Sequence, residues 1–407
     1  MVKFPIPLRF GIASAVLALV GLQLASCGGG SSPSNNMIPP PTSANNVQPV
    51  VVNSGPANNY VNGIFTSVTV CVPSTSNCQT INGILVDTGS YGLRLLSSAG
   101  GGALTLSLPQ QTSSGNPIGE CAGFVSGFTW GPLKTADITI SGEHAGNVPI
   151  QVVDPTFSTV PEPCKIGGVP ENDTLQTLGA NGILGIGPFA QDCGSQCTLT
   201  GMSNPNWYYS CAGSSCQVIP MPLAQQVQNP VPFFATDNNG VIVELPAAAN
   251  PVPTLSGSLV FGIGTQSNNT LGVSSIFPID ASGNFSTSYK GRTYPAFVDS
   301  GSNGYFFLDS NTTGIPTCPS NSGFYCPALT ANLSAMTSSG SVSETINFNV
   351  SDADTLFSNS ANAVFNTLGG PNTGMFDWGL PFFYGRNVYT AVESKNTPGG
   401  VGPYWAY

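Results

Sequence analysis

Histidine is almost missing from this chain: His144 is the only one among 407 residues. Any Ser-His-Asp or Cys-His scheme would have to rest on that one imidazole, which lies beside a Gly turn and is expected to be exposed. A multi-histidine metal centre is excluded outright. Charge is scarce too. Only 7% of residues are Asp, Glu, Lys or Arg, and 19 acids against nine cations give a formal net charge of −10. Nucleic acid and anionic membrane surfaces are therefore poor partners. Past residue 27 no stretch holds a convincing 3.6-residue apolar period, and none is long and apolar enough to span a bilayer.

What is abundant points the other way. The chain carries 49 Gly and 35 Pro, with Ser, Thr and Asn spread throughout. That composition disfavours long helices and favours many short strands joined by turns, so the expected class is all-β. The length suffices for two lobes, each with its own core.

The chain opens with the pattern of a bacterial lipoprotein leader. Lys3 and Arg9 supply the positive start, Phe10 to Leu24 the apolar run, and Leu24-Ala25-Ser26-Cys27 a lipobox that makes Cys27 the expected lipidation site. A plain signal peptide with an incidental Cys is the alternative. Loss of Lys3 and Arg9 with the leader takes the net charge to −12. Gly28 rather than Asp after the Cys favours the outer membrane, so the expected location is the bacterial cell envelope, with membrane contact through the N-terminal lipid only. Residues 28–59 hold no Lys or Arg and are rich in Gly, Ser, Pro and Asn, the composition of a flexible tether. Lobes are expected over 60–235 and 236–407.

Ten cysteines remain after Cys27, an even number in an exported chain, so disulfides are the expected state. Short spacing suggests Cys71/Cys78, Cys193/Cys197, Cys211/Cys216 and Cys318/Cys326, leaving Cys121/Cys164 as a longer link. Sequence does not fix the connectivity, and the group at 193, 197, 211 and 216 also has the make-up of a four-Cys zinc site.

One pattern occurs twice. Ile84-Leu85-Val86 runs into Asp87-Thr88-Gly89-Ser90, and Phe297-Val298 runs into Asp299-Ser300-Gly301-Ser302. In each, an apolar strand delivers a carboxylate into a tight Gly turn. Each half follows one order: a hairpin, the Asp motif, several strands, then an apolar pair with Gly. The period is far longer than the roughly 20–50 residues of solenoid repeats, which indicates a duplicated lobe.

At these residues the sequence resembles the pepsin-like aspartic peptidases, from about Tyr60 to the C-terminus. The two Asp motifs carry the resemblance, with Asn181-Gly182-Ile183-Leu184-Gly185, similar to the family's Asp-Gly-Ile-Leu-Gly. Trp378-Gly379 through Val392 is similar to its closing Ile-Leu-Gly-Asp-x-Phe-Leu and Tyr-Thr-Val-Phe-Asp. Ser258 to Gly262 is similar to its Leu-x-Phe-Gly-Gly. The chain looks like a bacterial lipoprotein branch of that family. The resemblance implies two β-lobes around a cleft, with Asp87 and Asp299 sharing a proton around one water to hydrolyse a protein or peptide, and with no metal or other cofactor. It also implies that Ser90 and Ser302 donate to the outer carboxylate oxygens. Thr88 and Ser300 would bond across to the opposite lobe, and Gly89 and Gly301 would let the turns approach. A monomer is expected.

Two positions depart from the family. Where it has a Tyr on a β-hairpin flap over the dyad, the match places Glu120 or Cys121; where it has a bracing Trp, Arg94 stands. An Arg94–Glu120 ion pair or a bond through Cys121 would replace the usual brace. Endopeptidase is the leading reading. A pepsin-like fold that binds a protein or peptide without cutting it, and a surface-structural lipoprotein, are the alternatives.

Overall fold

The computed structural model describes residues 44–407 apart from Asn250 and Val273. Cys27 and the first half of the expected tether, residues 28–43, lie outside the described residues. Strands β1 (Val47–Asn53), β2 (Gly63–Cys71), β3 (Cys78–Asp87) and β4 (Tyr91–Leu96) open the chain. β5 (Asn116–Phe124), β6 (Gly127–Ile140) and β7 (Glu143–Val153) follow, then β8 (Gly182–Ile186) and the short hairpin β9 (Tyr208–Ala212) and β10 (Ser215–Val218). The second half contains β11 (Gly240–Leu245), β12 (Leu255–Phe261), β13 (Phe285–Tyr289), β14 (Arg292–Val298) and β15 (Tyr305–Leu308). It ends with β16 (Ala331–Ser339), β17 (Val342–Val350), β18 (Asn372–Trp378), β19 (Arg386–Ala391) and β20 (Tyr404–Ala406). Helical elements among the described residues are short, as the Gly and Pro content implies.

In the first half the strand order β6-β7-β4-β8-β3-β2 closes on itself, because β2 also pairs with β6. The core of this barrel is aliphatic. Ile64, Val68, Val70, Ile81, Ile84, Val86, Leu93 and Leu95 are all buried within it. β3 runs parallel to β8 and antiparallel to β2. A strand flanked on both sides reads as a continuous apolar run, which is why Ile84-Leu85-Val86 shows no alternation before Asp87. In the second half β17-β16-β13-β14-β18-β15 form another sheet. Its core is aromatic, with Trp378 against Phe376, Phe348, Tyr305 and Phe382. The expected all-β class with two barrel-like sheets holds.

One expectation fails. Val47–Asn53 belongs to β1, not to a tether. It pairs with β12 from Val47↔Val260 to Val52↔Leu255 and with β2 at its other end, so it joins the halves in one sheet. Its Val side chains bury on these partners, although Pro49 and two polar residues hide the alternation.

The ten described cysteines form five disulfides, 71–78, 121–164, 193–197, 211–216 and 318–326. The four-Cys zinc alternative is thereby overturned, since those sulfurs are consumed in bonds to one another.

Candidate active site

β3 ends on Asp87 and β14 ends one residue before Asp299, so each carboxylate emerges where a buried strand enters a turn. The two turns are bound reciprocally. Thr88 N–H donates to Ser300 Oγ (3.1 Å), and Ser300 N–H donates to Thr88 Oγ1 (2.9 Å). The hydroxyls then donate onward across the pseudo-dyad, Thr88 to the Val298 carbonyl (3.3 Å) and Ser300 to the Val86 carbonyl (2.8 Å). Both side chains are fully buried. Four bonds of this kind fix the spacing of the two strand ends, and hence of the carboxylates.

Each carboxylate is oriented by its own turn. Gly89 N–H donates to Asp87 Oδ1 (2.8 Å) and Gly301 N–H to Asp299 Oδ1 (2.7 Å). Ser90 Oγ donates to Asp87 Oδ2 (2.5 Å), and Ser302 Oγ lies 2.9 Å from Asp299 Oδ2. Glycine is required at both turns by close approach. A Cβ at Gly89 would lie 2.5 Å from Asp299 Cγ, and one at Gly301 would lie 2.7 Å from Asp87 Oδ1. Those contacts also bring the two carboxyl groups together over the turns. Burial first, then the Asp87 charge and then Asp377 push the Asp299 carboxyl well above the usual carboxylate range, with Ser302 opposing. Asp299 is thereby biased toward its protonated form beside Asp87.

Three further side chains at the site were not legible in the sequence. Tyr60 Oη reaches the Gly301 carbonyl (3.3 Å), and Tyr91 packs its ring on Phe189 with its hydroxyl facing Gly283 from the other half. Burial, then the negative charges of Asp87 and its neighbours, raise both phenols, which stay protonated. The third is Asp377, buried on β18, whose Oδ2 lies 2.5 Å from Ser302 Oγ.

Glu120, Cys121 and Arg94 do lie on or beside the β5–β6 hairpin, but not at its tip. The register pairs Phe124 with Gly127 across the Val125-Ser126 turn, and Glu120 pairs with Gly131 well below it. The tip aromatic is therefore Phe124, and the Arg94 guanidinium sits 5.7 Å from its ring centroid. Lower down, Arg94 Nη2 bonds Glu120 Oε1 (2.6 Å) and Asp192 Oδ2 (2.9 Å), while Tyr208 Oη donates to Asp192 Oδ1 (2.6 Å). Burial works against the Arg94 charge, but Glu120 and Asp192 outweigh it and hold the guanidinium ionised. Glu120 is pushed well above its ordinary value, by burial first, with Arg94 opposing and Asp192 adding to it. One cation thus faces two buried carboxyls, and burial pushes Glu120 toward its neutral form.

The hairpin is held along both edges. On the β5 side, β9 pairs from Tyr208↔Glu120 to Ser210↔Ile118, and Cys121 N–H donates to the Trp207 carbonyl (2.8 Å). On the β6 side Phe128 N–H bonds the Pro170 carbonyl (3.1 Å), and Asn172 N–H bonds the Phe128 carbonyl (2.7 Å). Cys121–Cys164 adds a covalent tie. Replacing both of these cysteines by Ala is expected to cost roughly 2–4 kcal/mol of stability. Limited proteolysis should then cut first near Val125, which is exposed at the tip; an unchanged cleavage pattern and melting temperature would contradict the tie.

Most of the aromatic residues near the hairpin pack inward, while Trp207 is half-buried. Trp130, Tyr208, Tyr209 and Trp405 are buried, and His144 is exposed.

The fold and the paired carboxylates define a class. The chain has the fold of the pepsin-like aspartic proteinases. The aspartic proteinase from Irpex lacteus superposes with a TM-score of 0.50 at 16% identity, over 88% of this chain and 96% of that one. The chain belongs to the family described as "Protein of unknown function (DUF3443)", which matches residues 42–407. No curated protein matches it.

Proposed function

We propose that this protein is an aspartic endopeptidase that hydrolyses peptide bonds in a protein or peptide substrate, with Asp87 and Asp299 as its shared acid and base. One observation carries the reading. Two carboxyls, Asp87 buried and Asp299 half-buried, each presented by an Asp-Thr/Ser-Gly-Ser turn, are locked face to face by a reciprocal Thr88–Ser300 grip. Placing two carboxyls side by side is costly, and among the described residues neither has an ion-pair partner. A pair so placed is suited to proton transfer.

In the proposed reaction the ionised carboxylate takes a proton from a water as its oxygen attacks the scissile carbonyl carbon. The protonated partner donates to the carbonyl oxygen, giving a neutral gem-diol. On collapse the now-ionised partner takes a proton back from a gem-diol hydroxyl while the other carboxyl passes its proton to the leaving nitrogen, which restores the starting pair. Ser90 and Ser302 hold the outer oxygens so that the inner ones face the water. No metal or organic cofactor enters this scheme. Cys27, if lipidated, would tether a monomeric enzyme to the outer membrane of the bacterial envelope. Among the described residues no helix is long and apolar enough to cross a membrane.

The clamped hairpin and Phe124, which lacks a hydroxyl, favour a second reading, in which the cleft binds a peptide without cutting it. Pepstatin separates the two. The chain from Gly28 onward, folded and oxidised, is expected to degrade a denatured protein between about pH 3 and about pH 7, and pepstatin should stop it. Because Asp299 retains its proton above the usual carboxylate range, the alkaline limb should lie above that of an isolated carboxyl. No cleavage across the range would leave binding as the function.

A further inference from the structure

Ser302 Oγ touches two carboxylates, Asp299 Oδ2 at 2.9 Å and Asp377 Oδ2 at 2.5 Å. A hydroxyl has one proton and donates once. The second contact therefore needs a proton supplied by a carboxyl. Asp377 is the one that holds it, for two reasons. Its side chain is buried on β18, between β14 and β15, and its Oδ1 has no hydrogen-bond partner. An ionised carboxylate with an orphaned buried oxygen is far costlier than a neutral acid in the same place. Asp299, by contrast, has the Gly301 N–H on its Oδ1 and can accept on both oxygens.

We propose that Asp377 is held protonated, donates to Ser302 Oγ, and so makes the Ser302 hydroxyl donate to Asp299, giving a unit of three carboxyls rather than two. Asp377 is a positioning residue, since it acts through Ser302. Its catalytic consequence rests on the peptidase reading; the placement of its proton does not.

The groups that act on Asp377 come from every side. Asp87 stands at the end of β3, and Asp299 and Ser302 follow β14. β15 carries Tyr305 opposite Trp378, the neighbour of Asp377; burial raises its phenol to about 12, so it stays neutral, and Arg386 on β19 opposes that rise. Burial is the largest influence on Asp377 and raises it well above the usual range, with Ser302 opposing and the Asp87 charge adding to the rise. When Asp377 gives up its proton to solvent, the Ser302 hydroxyl turns to the new carboxylate. Asp299 Oδ2 then loses its donor and gains a negative neighbour. A three-carboxyl unit loses its first proton at a lower pH than the pair alone would, because there are more sites from which to lose it.

The test is Asp377→Asn, which keeps the shape and donates to Ser302 through its amide without titrating. A carboxyl protonated in the fold and ionised in the unfolded chain stabilises in acid, and that stability is lost as pH rises through the folded-state pKa. The wild-type melting temperature should therefore fall as pH rises above about 4, where the unfolded carboxyl ionises, and fall less steeply in the variant. The alkaline limb of cleavage should move up by roughly one pH unit relative to each protein's own maximum. An identical melting profile in the variant would overturn the proposal whatever the activity. An inert wild type overturns the peptidase reading and leaves the melting profile to decide the proton. Should the variant not fold, the side-chain carboxyl carbon of Asp377 is followed by NMR in the wild-type chain. A protonated shift at about pH 6 supports the proposal, and an ionised one overturns it.

Discussion

Asp87→Asn and Asp299→Asn are each expected to lower peptide cleavage on the order of 1,000-fold or more, with little change in substrate affinity. The reason is proton accounting. The pair needs one carboxyl to receive a proton from water and one to give a proton to the carbonyl oxygen. An amide does neither, and the remaining carboxyl cannot fill both roles in one step. The shape is kept, because Asn can still accept from Gly89 or Gly301 N–H, so the fold should survive. Removing both acids should cost little more than removing one, since they act as a unit. Steady-state rates on a denatured protein, with melting curves as the control for folding, check this. Cleavage persisting in both single variants would contradict the shared mechanism.

The largest structural effect is expected at Arg94. Among the described residues its guanidinium is the one cation paired with the buried carboxyls Glu120 and Asp192. Arg94→Ala strips that charge, leaves Asp192 with Tyr208 alone, and removes the ring contact that seats Phe124. Loss of one partner from such a group costs about 3–5 kcal/mol. Glu120→Gln should behave oppositely. Burial pushes Glu120 toward its neutral form, and Gln keeps an oxygen for Arg94, so the cost should stay within about 1 kcal/mol. Chemical denaturation of both variants distinguishes them. Equal losses would mean that Glu120 is ionised in the fold.

The dyad was legible because everything that makes it is local. An apolar strand, an acid and a Gly turn within seven residues fix where the carboxylate goes, and the second copy fixes its partner. The disulfides were legible for the same reason, as four of the five close short loops. What failed depends on contacts made far along the chain. β1 is a strand because β12, some 200 residues later, pairs with it, and nothing within Val47–Asn53 announces that. The hairpin tip was misplaced because glycines recur at 119, 123, 127 and 131, so that composition allows several registers. Pairing of Phe124 with Gly127 selects one of them and moves the tip away from Glu120 and Cys121. Asp377 was hidden inside an aromatic strand. In the family's closing motif the acid follows Gly, where this chain has Leu380. The acid here stands earlier, before Trp378, and reaches Ser302 only because β18 lies beside β14.

The most direct measurement is mass spectrometry of a denatured protein incubated with the oxidised chain from Gly28 onward, beside its Asp299→Asn variant, at about pH 4. New internal peptide ends should accumulate with the wild type, vanish with pepstatin, and be absent with the variant. Equal peptide ends from both proteins, or none from a folded wild type, would contradict catalysis by the Asp87–Asp299 pair.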